Sequence, residues 1–524
     1  MDANLETEKL VKKPVHPSQL SPNQTSNHNV RHFLLNCSIT TTPVLSILLQ
    51  PFQWLQMLSS QLNASFVLGI FLVHGLSQGF SGSYFKVVSD YYWKDVQKVQ
   101  PSVVQLFLGL YYIPWVIKPV WGLLTDLFPV GGYRRRPYFI LAGALGTVSA
   151  TVVALGGSMA VVVALGSLIG VTAAMAIASV TIDACIARNS IEIRSLAPDL
   201  QSLCGFCSSV GSLVGYSSSG FFVHHLGAQE ALGLLAVPQA LLIVLGFLFY
   251  ETKSSVRSGK KAVEKVGVAM KGMQETIRCP QVWKPTLYIY LSLALSISTQ
   301  EGQFYWYTDP KAGPAFSQEF VGIVHAFGAL ASVAGVLIYH KFLKDYPFRK
   351  LLSLAQLLYA SSGMLDLIFM LRWNLILGVP DYLFVVMEEC VSSTVSKIRW
   401  MPMIVLSTQL CPIGIEGTFF ALLMCIDSLG TLSSKWGGGI VLHIFHVTRT
   451  NFTNLWLVVL IRNMLRMGTL ALVFLVPNAV QSDNLLPSDL LTKNSTESID
   501  DESLQLVSME KETQGANGSI SRNN

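Results

Sequence analysis

The feature that most constrains this chain is a series of about a dozen apolar blocks, each close to the ~20 residues a helix needs to cross ~30 Å of hydrocarbon. Lipid offers no hydrogen bonds to a peptide group, so blocks of this length are expected to fold as helices that satisfy their own backbone. Composition agrees with that reading. The 524 residues are 51% hydrophobic and only 13% charged, whereas a soluble domain carries about 25% charged residues. Too little polar surface remains to cover a soluble core of this size. Length alone would allow two or three soluble domains, and the blocks override it. The net charge of +5 is no nucleic-acid signal, because in a membrane protein the placement of Lys and Arg among the loops is what matters. An all-α, multi-pass integral membrane protein, with the lipid bilayer as its first partner, is the expected outcome.

Along the chain, residues 1–63 are expected to be a polar cytosolic tail. Asp2, Glu6 and Glu8 argue against a transit peptide, which is usually poor in acids. Residues 64–250 hold six spans: about Ala64–Phe85, Val103–Leu124, Tyr138–Leu155, Ala160–Ile186, Leu203–Val223 and Ala231–Tyr250. A basic central loop, 251–284, separates them from six more in 285–476: about Pro285–Gln300, Gln318–Tyr339, Leu351–Leu371, Tyr382–Leu406, Thr418–His443 and Asn454–Val476. The tail 477–524, rich in Ser, Asn, Asp and Glu, is expected to be disordered. With the N-terminus in the cytosol, cytosolic loops hold seventeen Lys and Arg and the opposite loops six, among them Lys86, Lys94 and Lys98. That asymmetry favours both termini inside, in a plasma membrane or an internal membrane.

The halves echo each other. Gly122-x3-Asp126 is followed by Arg134-Arg135-Arg136, and Gly335-x3-Tyr339 by Lys341, Lys344, Arg349 and Lys350. A glycine near a helix end lets helices approach closely, and the basic cluster can pair with Asp126 or with helix C-terminal carbonyls. The arrangement resembles the loop motif of the major facilitator superfamily, whose two six-helix halves are related by a two-fold axis along the membrane normal. More specific stretches are similar to the folate–biopterin transporter family: Gly109-Leu-Tyr-Tyr-Ile-Pro-Trp-Val-Ile-Lys-Pro-Val-Trp-Gly-Leu-Leu-Thr-Asp126, Asp199-Leu-Gln-Ser-Leu-Cys204, Phe304-Tyr-Trp-Tyr-Thr308, Leu410-Cys-Pro412 and Glu416-Gly-Thr-Phe-Phe-Ala-Leu-Leu-Met424. The likeness covers residues 65–476. It departs at Arg188, where many relatives carry an acid, and at Gly205, where a Trp is common.

The resemblance implies a secondary active transporter for folate or pterin compounds, coupled to protons, with a substrate site between the halves. A same-fold carrier of another organic solute, or a non-transporting scaffold or sensor, is the alternative. No catalytic constellation, P-loop, HExxH or metal-ligand cluster stands out, so no enzyme activity, cofactor or metal is expected. Cys204-x2-Cys207 opens an apolar helix without a second pair and reads as packing.

Ionisable groups at bilayer depth are costly and are usually paired or functional. Asp183, in a run of small residues in the fourth span, is a candidate proton or substrate-amine site, or else half of an ion pair that fixes packing. The family carries an aspartate there, and another where Glu388 stands. Glu388 and Glu389 are adjacent on a helix, so at most one is expected to face a cavity. Asp427 lies mid-way along the eleventh span. Arg462 and Arg466, at i, i+4 in the twelfth, read as structural ion pairs or as a basic anchor for the glutamate tail of a folate. His74, Gln78 and Ser81 could line a pathway in the first span, and Phe304–Tyr307 read as an interfacial aromatic belt or a stacking platform for a flat pterin.

Overall fold

A computed structural model describes residues 53–192, 197–251, 267, 274, 276–411 and 416–480. The side chains of Asp126 and Arg188, and most of the central loop and both tails, lie outside the described residues. Residues Met1–Ala64 and Ser65–Asn524 form two compact units. In the first, residues 53–61 are helical, within the stretch expected to be a polar tail.

The second unit is built from helices. Among the described residues, eight segments are long and apolar enough to cross a membrane: α1 (Ala64–Val96), α2 (Pro101–Thr125), α3 (Arg136–Leu155), α4 (Val161–Ile186), α6 (Ala228–Leu248), α8 (Gln318–Leu343), α9 (Phe348–Met370) and α12 (Leu455–Leu475). Four further helices complete the described bundle: α5 (Ala197–Leu226), α7 (Pro280–Ala294, then Gln300–Tyr307), α10 (Asp381–Gln409) and α11 (Glu416–Ile444). Large apolar side chains remain uncovered on the outside, such as Val148, Phe247 and Leu337 at 61–63% exposure. Hydrocarbon, not protein, suits such a surface.

The two halves are built alike at their third helices. At the start of α3, Arg136 donates from Nε to the Gly246 carbonyl (3.1 Å) and from a terminal nitrogen to that of Phe247 (2.6 Å), at the end of α6. At the start of α9, Arg349 does the same to Val476 (2.9 Å) and Phe474 (3.2 Å), at the end of α12. Those carbonyls have no partner within their own helix and carry the negative end of its dipole, which a guanidinium satisfies. The basic clusters therefore find helix ends. At the first copy Glu251 also accepts the backbone N–H groups of Arg134, Arg135 and Arg136 (2.7, 3.0 and 3.1 Å), capping α3. Arg135 gives its side chain to Thr125 Oγ1 (2.7 Å). The paired glycines match too: a Cβ on Gly122 would touch Val180 of α4, and one on Gly335 would press on Thr394 and Lys397 of α10.

The first and seventh spans differ from expectation. The sequence reading ends the first at Phe85 and leaves Lys86 and Lys94 in a loop, but α1 runs on to Val96. A hydropathy window counts charges without regard to where they face. Asp90 (7% exposed) and the tyrosines and tryptophan at 91–93 turn inward, so the helix continues at no cost to the lipid face. In α7 the helix stops at Ala294 and restarts at Gln300. The break is received by α11: the Ser298 N–H donates to the Ser434 carbonyl (3.1 Å), and a Cβ on Gly438 would collide with the Ser298 carbonyl. Only glycine admits that approach. The Phe304–Trp306 stretch is correspondingly buried (1–9% exposed) between helices and forms no interfacial belt.

Gly438→Ala should destabilise the fold by about 1–3 kcal/mol, the usual cost of forcing extra volume into a packed site. Gly205→Ala, which meets nothing within 4 Å, is the control. Thermal unfolding midpoints in detergent check it: the first should fall by several degrees and the second should not.

Candidate functional site

A cavity of about 340 Å³ lies among α1, α5, α7, α8, α9, α10 and α12. The first half contributes Lys86, Asp90 and Tyr216, and the second half most of the wall. Its floor is a charged cluster. Arg462, 3% exposed, pairs with Asp366 of α9 and also donates to Gln303 Oε1 (3.1 Å) and Thr299 Oγ1 (3.3 Å) of α7. The broken turn of α7 is what brings Thr299 within reach. The Glu388 carboxyl lies within hydrogen-bonding reach of the same Asp366 carboxyl. Two carboxyl groups so placed hold a proton between them or repel.

Arg466 is used differently from its neighbour one turn away. It lies 8% exposed on the cavity wall, with its guanidinium 4.2 Å from the centre of the Tyr359 ring. Its Nε is buried without a hydrogen-bond partner, and no carboxylate pairs with it among the described residues. Arg399, on the same tyrosine ring at 4.6 Å, donates to Gln356 Oε1 (2.7 Å) and the Ser292 carbonyl (2.8 Å). Arg466 is thus a buried cation on the cavity wall, with an aromatic face to hold it and, among the described residues, no carboxylate in a salt bridge with it, Asp366 acting on it only from further off.

Both glutamates of α10 border the cavity, a correction to the expectation that at most one would. They diverge, Glu388 toward Asp366 and Glu389 toward His325 Nδ1 (3.6 Å) and Ser393 Oγ (3.2 Å). The helix lies broadside to a cavity wide enough to be reached from two sides. Phe304 and Tyr307 line it as well, and Tyr307 joins a cluster with Trp306, Phe316 and Phe384 gathered around Phe369.

The other expected residues lie elsewhere. Asp183 sits in the first half, where His74 Nε2 (3.3 Å) and Lys118 Nζ (3.6 Å) approach its carboxylate and Ser179 donates to it (3.0 Å), tying α1, α2 and α4 together. Gln78 and Ser81 are on α1 away from the cavity; Ser81 bonds back to the Leu76 carbonyl (3.0 Å), and the buried Gln78 Nε2 has no partner among the described residues. Asp427 is half-buried on α11, within the field of Arg399. Gly122, Arg134 and Arg135 belong to the α2–α3 connection described above, remote from the cavity.

The sequence profile of the BT1 family matches residues 78–495. The chain belongs to the BT1 family. It is 64% identical to a protein of Arabidopsis thaliana named probable folate-biopterin transporter 6, over 87% of this chain and 91% of that one. It is 29% identical to a folate-biopterin transporter of Synechocystis, over 78% and 81%. In three dimensions it resembles the nucleoside transporter NupG (TM-score 0.61, 12% identity, 79% of this chain and all of that one), a likeness that shows the fold. This BT1-family chain is a membrane transporter and not an enzyme.

Sequence reasoning about this BT1-family chain passed over Asp366, the pivot of the cavity floor, and Lys86, Asp90 and Glu301. Each was a lone charge at the margin of an apolar block, or inside one without a matching neighbour in sequence. The i, i+4 spacing of Lys86 and Asp90, continuing the period of the first span, was the available signal. The roles of the two α12 arginines make a test. Asp366→Ala leaves Arg462 buried without its carboxylate and should cost about 3–5 kcal/mol, the usual cost of breaking a buried pair. Arg466→Gln removes a charge that no described carboxylate balances, and should leave the thermal unfolding midpoint at or above that of the wild type.

Proposed function

We propose that this BT1-family protein is a proton-coupled carrier of folates and pterins. The observation that carries the reading is the Arg466 guanidinium on the cavity wall, with no described carboxylate paired to it, beside a pair of carboxyl groups that can take or release one proton. Arg466 anchors a substrate carboxylate, as in the glutamate tail of a folate, by charge-assisted hydrogen bonds. Tyr307 and Phe304 offer faces on which a flat pterin ring stacks. Glu388 carries the coupling proton against Asp366. Once deprotonated, it competes with Asp366 for Arg462, so the proton and the packing of α9, α10 and α12 are linked. A ligand drives such a cycle only by binding one state better than another. The names of the Arabidopsis and Synechocystis relatives support the substrate class.

Arg462 is the structural member of the arginine pair, held by Asp366. Asp183, with Lys118 and His74 around it, fastens α1, α2 and α4 and carries no proton through the cavity. The excess of Lys and Arg in the central-loop side of the chain supports cytosolic termini.

The test is uptake of labelled folate and of biopterin into proteoliposomes, with and without an imposed pH gradient. Wild-type protein should take up both, faster with the gradient. Arg466→Gln should lose folate affinity by about tenfold or more, the scale of one charge-assisted bond. Biopterin, which has no carboxylate, should be little affected. Glu388→Gln should keep exchange and lose the response to the gradient. Absence of uptake of either compound by folded wild-type protein would overturn the substrate class and leave a same-fold carrier of another organic solute.

A further inference from the structure

The hydrogen bonds that join the two halves gather at one end of the bundle, the end opposite the close of α6 and the start of α7. There Lys94 Nζ donates to Thr308 Oγ1 (2.6 Å), Tyr305 Oη to the Val99 carbonyl (2.9 Å), and Arg449 to the Lys94 carbonyl (2.8 Å). Trp436 Nε1 donates to the Leu106 carbonyl (3.2 Å). α5 and α8 press together at the same end, where Gly220 faces the Gln318 carbonyl and Gly322 the Tyr216 carbonyl. The cavity lies beneath this closed mouth.

At the inner edge of the mouth sits a group that the transport reading does not use. Asp90 of α1 and Glu301 of α7 belong to different halves. Each lies six residues before the end of its span, at Val96 and Tyr307, so the two hold equivalent positions in the two halves. They are 7% and 1% exposed. Their carboxyl groups are within hydrogen-bonding reach of one another. Yet Asp90 Oδ1 and both Glu301 carboxyl oxygens find no donor among the described residues. The donor that such a contact lacks is a proton on one of the two acids.

The surroundings do not supply a substitute. Lys86, one turn back on α1, turns to the cavity and lies over the Tyr216 ring (5.7 Å), within the field of Glu389. Lys435 of α11 gives its Nζ to Gln300 Oε1. From α2, Gln105 accepts from the Glu301 backbone N–H (3.1 Å), not from its carboxyl, and Tyr111 accepts from Trp93 Nε1 (2.7 Å). Tyr91 and Tyr305 flank the pair, and Asp95, Lys94 and Arg449 lie further out. The two lysines temper the charge of an ionised pair without bonding to it.

We propose that Asp90 and Glu301 form a shared proton site that latches the two halves together. With a proton between them, the carboxyls make a bond across the halves and the mouth stays shut. When the proton leaves to water, two like charges remain in a buried contact, and parting the halves is what relieves them. Low pH therefore favours the closed mouth and high pH the open one. The site is separate from the Glu388–Asp366 pair, which lies wholly within the second half.

Distance measurement between spin labels tests this without substrate. The labels go on Lys98→Cys and Lys311→Cys, exposed loop residues of opposite halves, in a background with the native cysteines replaced and the protein in nanodiscs. Wild-type protein should show a short distance at about pH 5.5. A longer component should grow as pH rises, by up to about tenfold in ratio per pH unit, the ceiling for one linked proton. Glu301→Gln donates its amide to Asp90 without a proton from solvent and should stay short throughout. Gln105→Ala, which removes a bond between halves but not the proton site, should keep the pH response. An unchanged distance across pH in the wild type, or a wild-type pH response in folded Glu301→Gln, would overturn the latch. Because the readout is a distance in the absence of folate, its failure leaves the substrate assignment standing, and failure of uptake leaves the latch standing.

Discussion

Charge cannot be left facing hydrocarbon, and the arrangement of this protein follows from where its charges are hidden. Helix formation satisfies the backbone within the spans apart from the break in α7, which leaves mainly the side chains as polar groups to place. The spans carry more of them than a simple bundle needs. Arg462, Arg466, Arg399, Asp366, Glu388, Asp90, Glu301 and Lys435 are all 8% exposed or less. Most are held by an opposite charge or a carbonyl. The exceptions, Arg466, Glu388 and the Asp90–Glu301 pair, sit on a cavity wall and at a seam between halves, the two places where a transporter has to bind and to move.

Glycine decides how close the helices come, and so where those charges can meet. Gly211 and Gly215 of α5 lie against the Gly75 and Phe80 carbonyls of α1, and Gly438 of α11 receives the broken turn of α7. That broken turn turns Thr299 and Gln303 toward Arg462. Transporter sites are commonly built on such interrupted helices, whose freed backbone is tolerated because it lines a cavity or is met by a neighbour. Here both conditions hold: Ser298 is bonded to Ser434, and Gln300 and Gln303 face the cavity.

The two α12 arginines show why residue type and spacing are insufficient to assign a role. They are one turn apart on one face and carry the same charge. A single carboxylate on α9 divides them, because Asp366 pairs with Arg462 and, among the described residues, no acid pairs with Arg466. The same division separates the acids: Asp183 faces Lys118, His74 and Ser179, whereas Glu388 is set against another acid. A carboxylate already paired with a lysine is poorly placed to exchange a proton. One set against a second carboxyl is well placed to do so.

From the sequence by itself came the all-α, multi-pass membrane fold of major-facilitator type, the basic clusters at the third and ninth helices and the family. Each is written in local patterns: apolar runs of membrane length, glycine at helix contacts, Arg at helix starts. The ends of α1 and the break in α7 were not legible, since hydropathy records how polar a residue is and not which way it faces. Nor was the site. Asp366, 22 residues before Glu388 and 96 before Arg462 in the chain, becomes their partner only when α9, α10 and α12 pack, and Asp90 meets Glu301 only when the halves close. Tertiary structure decided which charges are neutralised and which remain free, because that depends on contacts between helices that no local spacing specifies.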